Sequence, residues 1–383
     1  MTKPFIIFGA PIIQQDELNE VLSVLESGWL GTGPRVQAFE QAFATYKGVQ
    51  HAVALNSCTA ALHLSLLASG VGPGDEVITT PMTFCATVNA IIHTGATPVL
   101  ADIDPDDLNI SVREVAQRIT PNTRAILPVH FAGMPCDMDP LMALAERHDL
   151  KVIEDCAHAI ETEYRGRKAG TFGDFGCFSF YVTKNIATGE GGMVLAKNPN
   201  HLERLRRLSL HGMSRDAWKR FGSDGYAHYQ VLEAGFKYNM TDIQAAIGLH
   251  QLPRVESWLA QREALWQHYD DAFSALPVTR PGRVAEDCRH GRHLYTLRIN
   301  EQKTGIDRDS FLNAMEQHRI GVGVHYLSIP EHPYYQERFG WRPEAYPIAM
   351  QVGRETVSLP LSPKLTDAEV ERIIDAVRKS VGA

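Results

Sequence analysis

The sequence predicts an α/β protein with a large domain built on a mostly parallel seven-stranded sheet between helices, followed by a smaller C-terminal α+β domain. Short apolar runs alternate with stretches of helical periodicity over residues 51–155. This alternation is typical of a parallel sheet that is covered on both faces. Beyond a long helical pattern that begins at Thr241, strand candidates become fewer. We therefore predict a boundary near residue 245, with domains at 1–245 and 246–383.

Two helices precede the sheet. Apolar residues recur at i, i+3, i+4 and i+7 over residues 16–27, which predicts an amphipathic helix. Its apolar stripe consists of Leu18, Val21, Leu22 and Leu25. A second helix begins near Pro34 and ends near Gly48, because proline suits the first turn of a helix and glycine suits the position after the last. The inner face predicted for this helix consists of Val36, Phe39, Phe43 and Tyr46.

The strand candidates of the large domain are the runs HAVALN, EVITT, PVLADI, RAILPVH, KVIED, CFSFYV and GGMVLA. A helix is predicted near residues 199–211, and residues 213–238 have little periodicity, which indicates a long functional loop. Pro253 should kink the long helix that starts at Thr241. In the smaller domain the strand candidates are HLYTLRIN and GVGVHY, and a final helix begins at Thr366.

The composition argues against several classes of protein. The chain carries 37 Lys and Arg against 45 Asp and Glu, with the basic residues scattered, which argues against a nucleic-acid partner. The six cysteines include no C-x-x-C pair, so we expect reduced thiols in a cytoplasmic protein and no metal site. Pro4 and Pro11 interrupt the apolar start, which argues against a signal peptide. No apolar run is long enough to span a bilayer.

Three strand ends carry polar residues that suggest chemistry. Residues 56–59 lead from the first strand into a helix, and such a helix start is either an anion site or an ordinary N-cap. Asp155 leaves a buried strand and needs a cationic partner, which a plain salt bridge would also provide. Lys184 follows the apolar run FSFYVT. It is either a solvated turn lysine or, in a dry site, an amine of lowered pKa that can attack carbonyls.

Each of these motifs is ambiguous alone, and their combination is more specific. Ligands of open α/β sheets bind outside the carboxyl ends of the strands, so the helix start, the acid and the lysine should meet at one edge. Pyridoxal 5'-phosphate (PLP) needs all three, for its phosphate, its pyridine nitrogen and its aldehyde. The sequence therefore predicts a PLP site with Lys184 and Asp155 as the catalytic residues.

Seven segments resemble, in the same order, blocks of the DegT/DnrJ/EryC1/StrS family of PLP-dependent nucleotide-sugar aminotransferases, which have fold type I of the aspartate aminotransferase superfamily. The resemblance extends over nearly the whole chain. The segments are GWLGTGPRVQAFEQAFA, LNSCTAALHLSL, VGPGDEVITTPMTFCATVNAI, PVHFAGMPCDMD, VIEDCAHAIE, FSFYVTKNIATGEGGMV and GFKYNMTDIQAAIGL.

The resemblance implies roles at matching positions. Lys184 matches the lysine that binds the cofactor covalently, and Asp155 matches the acid that pairs with the ring nitrogen. Phe84 falls where an aromatic ring stacks on the cofactor, and Ser179 where a hydroxyl binds its phosphate. The remaining cofactor contacts that the resemblance implies are the helix-start residues Cys58 and Thr59, the ring contact His158, and Asn239.

Asn239 resembles a residue that reaches the phosphate from the partner subunit, which implies a homodimer with shared active sites; from the residues alone it could also cap the helix before Thr241. The implied reaction takes an amino group from L-glutamate, with pyridoxamine phosphate (PMP) as the intermediate form of the cofactor, and passes it to a nucleotide-linked keto sugar. The ketone is expected at C4, with C3 as the alternative, for aminosugar or surface polysaccharide biosynthesis.

Six residues are expected to contact the substrate, although each could instead serve packing or capping. They are Trp29, Thr32, Tyr181, Lys237, Tyr238 and His325. His211 and the 213–238 loop are expected to close over the bound sugar.

Other functions on the same fold are alternatives to sugar transamination. One alternative is a different reaction of the same cofactor, such as that of a cysteine desulfurase or a lyase. A desulfurase would need a cysteine on a mobile loop, and residues 213–238 contain none. The family's sugar dehydratases have histidine in place of the lysine, so Lys184 favours transamination. A non-catalytic sensor would have no need of a nucleophile at this position.

Overall fold

The structure is a computed structural model that describes residues 4–214 and 228–382. The first five strands are β1 (Ala52–Leu55), β2 (Glu76–Thr79), β3 (Thr97–Leu100), β4 (Thr123–Leu127) and β5 (Lys151–Asp155). A small hairpin of β6 (Glu163–Tyr164) and β7 (Arg167–Lys168) follows. The next two strands are β8 (Phe175–Ser179) and β9 (Gly192–Ala196).

A seven-stranded sheet forms the centre of the larger part of the molecule, in the order β1-β9-β8-β5-β4-β2-β3. β9 is antiparallel to both of its neighbours, and the other neighbouring pairs are parallel. The predicted mostly parallel sheet is therefore confirmed. The carboxyl ends of β1, β5 and β8 lie at the edge where β9 begins, and this is the edge at which open α/β sheets bind ligands.

Helices cover both faces of this sheet. They are α1 (Gln15–Ser27), α2 (Pro34–Lys47), α3 (Cys58–Ala68), α4 (Cys85–His93), α5 (Val112–Arg118), α6 (Met138–Arg147), α7 (Pro199–Leu208) and α8 (Asp242–Gln251). Because successive strand residues point to opposite faces, Val53 and Ile153 pack with α3, α4 and α7, whereas Ala54 packs with α2 and α8 and Val152 with α5 and α6. Among the described residues, no helix combines the length and the apolar character that crossing a membrane requires.

α1 forms where the periodicity predicts it, but most of its apolar stripe faces outward. The side chains of Leu18, Leu22 and Leu25 are 55%, 54% and 51% exposed. The residues that α1 buries are Glu17 and Val24, on the side that contacts α8. The three leucines therefore form an exposed apolar row on α1.

The predicted kink at Pro253 is confirmed. α8 ends at Gln251, a 3₁₀ turn covers Leu252–Arg254, and α9 (Val255–Ala272) continues from it. Proline cannot donate the backbone hydrogen bond that a continuous helix would need at this position.

A second core surrounds the two-stranded sheet of β10 (Tyr295–Arg298) and β11 (Thr356–Leu359). The helices after α9 are α10 (Glu301–Thr304), α11 (Arg308–Gln317), α12 (Pro333–Phe339), α13 (Pro347–Glu355) and α14 (Asp367–Ser380). Thr366 caps α14, as predicted. Ile6, near the start of the chain, crosses to this core and forms a bridge with Ile320. Position 245 lies inside α8, and the boundary there stays a prediction.

The prediction of a strand over GVGVHY is wrong. This segment makes a single bridge, between Gly323 and Ser358 of β11. Gly321 and Gly323 provide no side chains to pack on a sheet. The chain then leaves β11 and carries His325 and Tyr326 towards the large sheet, where the Tyr326 hydroxyl lies 3.1 Å from His158 Nε2.

Candidate active site

Two potentially reactive side chains follow neighbouring strands of the sheet. Asp155 is the last residue of β5, and Lys184 lies on the connection from β8 to β9. β8 runs parallel to β5, with Cys177 opposite Asp155. The connection that carries Lys184 therefore starts beside the end of β5, as strand-end reasoning predicts.

The buried Asp155 carboxylate accepts hydrogen bonds from two donors. Its Oδ1 accepts from the backbone N–H of Ala157 at 3.1 Å, and its Oδ2 accepts from the Thr87 hydroxyl at 2.9 Å. Burial raises the pKa of the carboxyl, and the two hydrogen bonds and the charge of Lys184 oppose this increase only in part. A further cation beside this carboxylate would therefore stabilise its ionised form. Thr87 lies on α4, far away in sequence, and no motif identified it.

Lys184 has a half-buried amine that makes no hydrogen bond to any described residue. Burial lowers its pKa to about 8, against the opposing effects of Cys58 and Asp155. Lys47 also has a pKa lowered by burial to about 8, but its Nζ donates a hydrogen bond to the Ile160 carbonyl at 2.9 Å. The lowered pKa is thus shared by both lysines, and the unengaged amine is what distinguishes Lys184.

The start of α3 lies at the same edge of the sheet. Ser57 caps the helix with its side chain, and the amides of Cys58 and Thr59 belong to the first turn, where a helix leaves its N–H groups without internal acceptors. A Cβ atom on Gly192 would lie 2.4 to 2.6 Å from backbone atoms of Ser57 and Cys58, so only glycine lets β9 start so close. Ser179 ends β8 and is buried nearby in the same sheet. Helix-start amides that lack an internal acceptor favour a phosphate group.

A solvent-exposed aromatic ring lies beside this edge of the sheet. The Phe84 side chain is 57% exposed, and its ring centroid lies 6.0 Å from that of Tyr326. Nδ1 of His158 accepts from the Ala132 N–H at 3.2 Å, so its proton is on Nε2, which donates to the Tyr326 oxygen at 3.1 Å. Tyr326 was not predicted, although it directly follows His325 in sequence.

Three imidazoles, of His158, His293 and His325, lie near enough to Lys184 for its charge to lower their pKa. The ring centroids of His158 and His293 lie 4.5 Å apart, and His325 Nδ1 lies 2.9 Å from the Ser358 hydroxyl. Burial, and secondarily the charge of Lys184, lowers the pKa of all three, to about 4 for His325. Lys184, Asp155, His158, His293 and Tyr326 are called the Lys184 cluster below. His293 was also missed, because a lone histidine in HLYTLRIN carries no motif.

A separate group of predicted residues forms the Asn239 cluster, defined as Trp29, Thr32 and Asn239. Asn239 Nδ2 donates to the Thr32 hydroxyl at 2.6 Å, and Trp29 Nε1 donates to the Thr32 carbonyl at 3.0 Å. Asn239 Oδ1 is buried without a hydrogen-bond partner in the described part of the chain. No hydrogen bond between described residues joins this cluster to the Lys184 cluster.

The other predicted substrate contacts differ in exposure and in what they pack against. Tyr181 is 45% exposed and its carbonyl accepts from the Lys184 N–H at 2.8 Å. Lys237 is exposed, whereas Tyr238 stacks on Phe236 with its hydroxyl 3.4 Å from His63 of α3. The structure thus places His325 in the cavity that Lys184 lines and joins Tyr181 to Lys184 through the backbone, whereas it packs Tyr238 against α3. Of the predicted 213–238 loop, residues 215–227 lie outside the described residues.

Within residues 4–214 and 228–382, one buried cluster has metal-ligating side chains, His130, Glu154 and Cys156. The Glu154 carboxylate is 3.1 Å from His130 Nε2 and accepts from the backbone N–H groups of Gly170, Phe172 and Gly173, each at 2.7 Å. Four donors already fill the positions around this carboxylate, and they hold the β5–β8 connection. This cluster is therefore explained by structural hydrogen bonds.

The residues at the sheet edge fit PLP on their own chemistry. Burial disfavours the charged form of Asp155, and a cationic ring nitrogen beside it would compensate for this. The Lys184 amine makes no hydrogen bond to a described residue, and Gly192 leaves space at the start of α3. The fold and site together define a PLP-dependent transferase of fold type I.

Comparison with known proteins identifies the family. The model of the DegT/DnrJ/EryC1/StrS aminotransferase family matches residues 11–378. The spore coat polysaccharide biosynthesis protein SpsC of Bacillus subtilis is 48% identical over 378 residues, covering 98% of this chain and 97% of SpsC. The chain belongs to this family and is a PLP-dependent sugar aminotransferase.

Solved structures agree with this assignment. The sugar aminotransferase candidate Spr1654 of Streptococcus pneumoniae, in its PMP form, has a TM-score of 0.91 at 34% identity, covering 99% of this chain and 98% of that one. PseC of Helicobacter pylori, an aminotransferase involved in pseudoaminic acid biosynthesis, has a TM-score of 0.91 at 29% identity, covering 99% of this chain and 100% of PseC.

Proposed function

We propose that this enzyme moves an amino group from L-glutamate to the C4 ketone of a nucleotide-linked sugar. The observation that carries the transfer chemistry is the unengaged Lys184 amine, which shares the sheet edge with the buried Asp155 carboxyl. When bound, PLP supplies an aldehyde that bonds to amines and a ring that accepts the electron pair left when a proton leaves the neighbouring carbon. The other roles belong to side chains of this protein.

Asp155 holds a proton on the ring nitrogen. A buried carboxylate with a raised pKa is stabilised by a nearby cation, and the same pairing favours the protonated ring. The Thr87 hydroxyl and the Ala157 N–H keep the carboxylate in place. Phe84 provides a ring for stacking, and the start of α3 with Ser179 receives the phosphate.

Lys184 is the general base of the reaction. Its Nζ takes the proton from the α-carbon of glutamate, and in the second half-reaction it delivers a proton to the sugar carbon that receives the nitrogen. A pKa of about 8 suits this role, because both protonation states are populated near neutral pH. Tyr181 and His325, which lie beside Lys184, are proposed as contacts of the sugar.

The active enzyme is proposed to be a homodimer in which the Asn239 cluster of one copy completes the site of the other. Two features support this. Leu18, Leu22 and Leu25 form an exposed apolar row on α1, and Asn239 Oδ1 is buried without a donor among the described residues. In this arrangement the second N–H of Asn239 Nδ2 donates to the phosphate, because Oδ1 can only accept, and Trp29 and Thr32 contact the sugar nucleotide. Lys237, whose side chain is exposed, is proposed to contact the nucleotide as well.

The substrate class is proposed from relatives and from local sequence. SpsC is named for polysaccharide biosynthesis, and its 48% identity supports a nucleotide sugar destined for a polysaccharide or glycoconjugate. The segments FKYNMTDI and GVGVHY resemble the branch of the family that acts on 4-keto sugars.

The test is a screen of UDP-, dTDP- and GDP-linked 3-keto and 4-keto sugars with L-glutamate as donor. Product mass gives the amine transfer, and NMR of the product gives the aminated carbon. We expect a 4-amino sugar and stoichiometric 2-oxoglutarate. A product aminated at C3 would overturn the C4 assignment, and turnover with L-alanine but not L-glutamate would overturn the donor.

A further inference from the structure

The three residues that follow Lys184 are each anchored in the protein interior. The Asn185 amide nitrogen donates to both carboxylate oxygens of Glu161, at 2.8 and 3.0 Å. The Ile186 side chain is 0% exposed and packs in the core that α2 and α8 share. Ala187 is 3% exposed, so its backbone N–H and C=O need partners inside the protein.

Both backbone groups of Ala187 bond to one side chain, that of Gln251, the last residue of α8. The Ala187 N–H donates to Gln251 Oε1 at 2.8 Å, and Gln251 Nε2 donates to the Ala187 carbonyl at 3.0 Å. Nε2 also donates to the Ile12 carbonyl, in the N-terminal segment, at 3.5 Å. Gln251 is 1% exposed, so solvent does not compete for these bonds.

Gln251 belongs to a helix that is fixed at both of its ends. At the start of α8, the buried Asp242 carboxylate accepts from the N–H groups of Gly33 and Val36, at 2.8 and 3.0 Å, which ties α8 to the first turn of α2. After Gln251 the chain turns at Pro253 and continues into α9. Contacts from such an element hold a functional residue more precisely than contacts from a loop.

Lys184 lies between two fixed points of the β8–β9 connection. Before the anchored residues, the Lys184 N–H donates to the Tyr181 carbonyl at 2.8 Å and closes a turn. Lys184, Ala187 and Gln251 line the same cavity of about 60 Å³, with Ile12 on its wall as well. The position of the Lys184 backbone therefore depends on the turn before it and on the anchored residues after it.

We propose that Gln251 is a positioning residue for Lys184: its amide fixes the backbone of Ala187 and thereby the place from which the Lys184 amine acts on the substrate. The inference rests on the proposed function in taking Lys184 as the base. Misplacing a reacting group by about 1 Å can lower a rate by about 10²-fold. Because the Gln251 amide is occupied by backbone groups, its loss should slow the chemical step and leave substrate affinity nearly unchanged.

The alternative is that these hydrogen bonds serve stability alone. Variants of Gln251 would then lower the free energy of unfolding, but the rate of the folded enzyme would stay the same, because Asn185 and Ile186 would still hold the segment. A rate measured separately from binding distinguishes the two roles.

The test compares the two glutamines of α8 in the full-length enzyme. Gln251→Met keeps the length of the side chain and removes both hydrogen bonds to Ala187. Gln244→Met is the matched control, because Gln244 Nε2 donates at 2.8 Å to the Glu190 carbonyl, at the far end of the same connection. Gln251→Asn keeps an amide that is one methylene too short to meet both backbone groups, and it replaces Gln251→Met if that variant does not fold.

Two measurements are made on each protein. Hydrogen exchange of the unliganded enzyme, read by mass spectrometry with fragmentation, gives the exchange rate of the Ala187 N–H. Stopped-flow absorbance of the PLP-loaded enzyme, mixed with increasing L-glutamate, gives the limiting rate of the first half-reaction and, separately, the apparent dissociation constant of glutamate. Neither measurement needs the sugar substrate.

For Gln251→Met we expect exchange of the Ala187 N–H to be at least about tenfold faster and the limiting rate about tenfold lower, with the glutamate dissociation constant within about twofold of the wild-type value. Gln251→Asn should change both rates in the same directions by smaller factors, and Gln244→Met should change neither. An unchanged limiting rate or an unchanged Ala187 exchange rate would overturn the proposal. An equal fall in Gln244→Met, or a loss confined to the dissociation constant, would overturn it as well.

Failure of the proposed function would give a different pattern. A wild-type enzyme that does not react with L-glutamate would refute the donor, and PLP bound to another lysine would refute the role of Lys184. Both results concern the wild type and are obtained before any variant is compared. A contrary result confined to the Gln251 variants refutes only the positioning role.

Discussion

The Lys184 cluster and the Asn239 cluster were predicted to serve the same cofactor, yet the fold completes them to different degrees. Asp155, His158 and His293 are buried and hydrogen-bonded, and the charge of Lys184 lowers the pKa of each of them. In the Asn239 cluster, Trp29 is 45% exposed and Asn239 Oδ1 has no donor among the described residues. The difference fits the proposed homodimer, in which the Asn239 cluster of one copy completes the site around Lys184 of the other.

The largest effect is expected at Lys184. Lys184→Ala removes both the amine that bonds to PLP and the general base, and we expect turnover to fall by about 10³-fold or more. Steady-state assays of 2-oxoglutarate formation measure this loss, with circular dichroism as the check on folding. Lys47→Met is the matched control, because Lys47 has a similar pKa but donates to Ile160. The Lys47 variant should lose stability and keep its cofactor bond, and the account fails if the two variants behave alike.

The next effect separates two adjacent acids of β5. Asp155→Asn leaves the ring nitrogen without an acid, and we expect a fall in kcat of about 10²- to 10³-fold with the free energy of unfolding at pH 7 changed by less than about 1 kcal/mol. Burial raises the pKa of Asp155 in the folded protein, so ionisation of this group opposes folding. The contribution of Asp155 to the free energy of unfolding therefore falls as the pH rises through its folded-state pKa. Assays and denaturant titrations of the unliganded chain measure both quantities.

Glu154→Gln is the structural counterpart. Although burial opposes it, the His130 and backbone hydrogen bonds lower the pKa of Glu154 below its ordinary 4.5. Its stabilising contribution is therefore present above pH 4.5 and is lost as the pH falls through the folded-state pKa. Glu154→Gln should cost about 3 kcal/mol at pH 7 and remove this acid dependence. If the folded Glu154→Gln protein also lost kcat as Asp155→Asn does, the two acids would not have separate roles.

The sequence correctly predicted that Lys184, Asp155 and the start of α3 lie at one sheet edge, because strand ends and helix starts position side chains by local rules. The sheet, the caps and the kink at Pro253 followed from the same rules. Thr87, His293 and Tyr326 were missed, because each reaches the site by packing between segments that are distant in sequence.

Periodicity has a second limit, which α1 illustrates. The spacing of its leucines correctly predicted a helix, but spacing does not tell whether the apolar face meets this chain or another. The strand predicted at GVGVHY was wrong for a different reason. Its alternation is made by glycines, which contribute no side chain to a sheet.

A smaller effect is expected at the proposed dimer surface on α1. Leu22→Glu places a charge in the exposed row on α1, and we expect the dimer dissociation constant to rise at least about tenfold, with activity per chain falling at low protein concentration. Analytical ultracentrifugation measures the association. Asn19→Glu is the control, because it adds the same charge to an exposed position of α1 outside the leucine row. Equal dimerisation of the two variants would place the interface elsewhere.

The smallest effect is expected at Asn239. Asn239→Ala removes one phosphate contact but leaves Lys184 and Asp155 in place, and we expect PLP affinity to fall by about three- to tenfold with kcat at saturating cofactor nearly unchanged. Fluorescence titration of the unliganded enzyme with PLP measures this affinity. A large fall in kcat with unchanged PLP affinity would remove Asn239 from the phosphate site.

The central claim is a covalent bond between PLP and Lys184, and peptide mass spectrometry after borohydride reduction tests it most directly. The account predicts that reduction bleaches the visible absorbance of the purified enzyme and that the phosphopyridoxyl mass is found on the peptide containing Lys184. Modification of Lys47 or another lysine instead, or a protein that takes up no PLP, would contradict it.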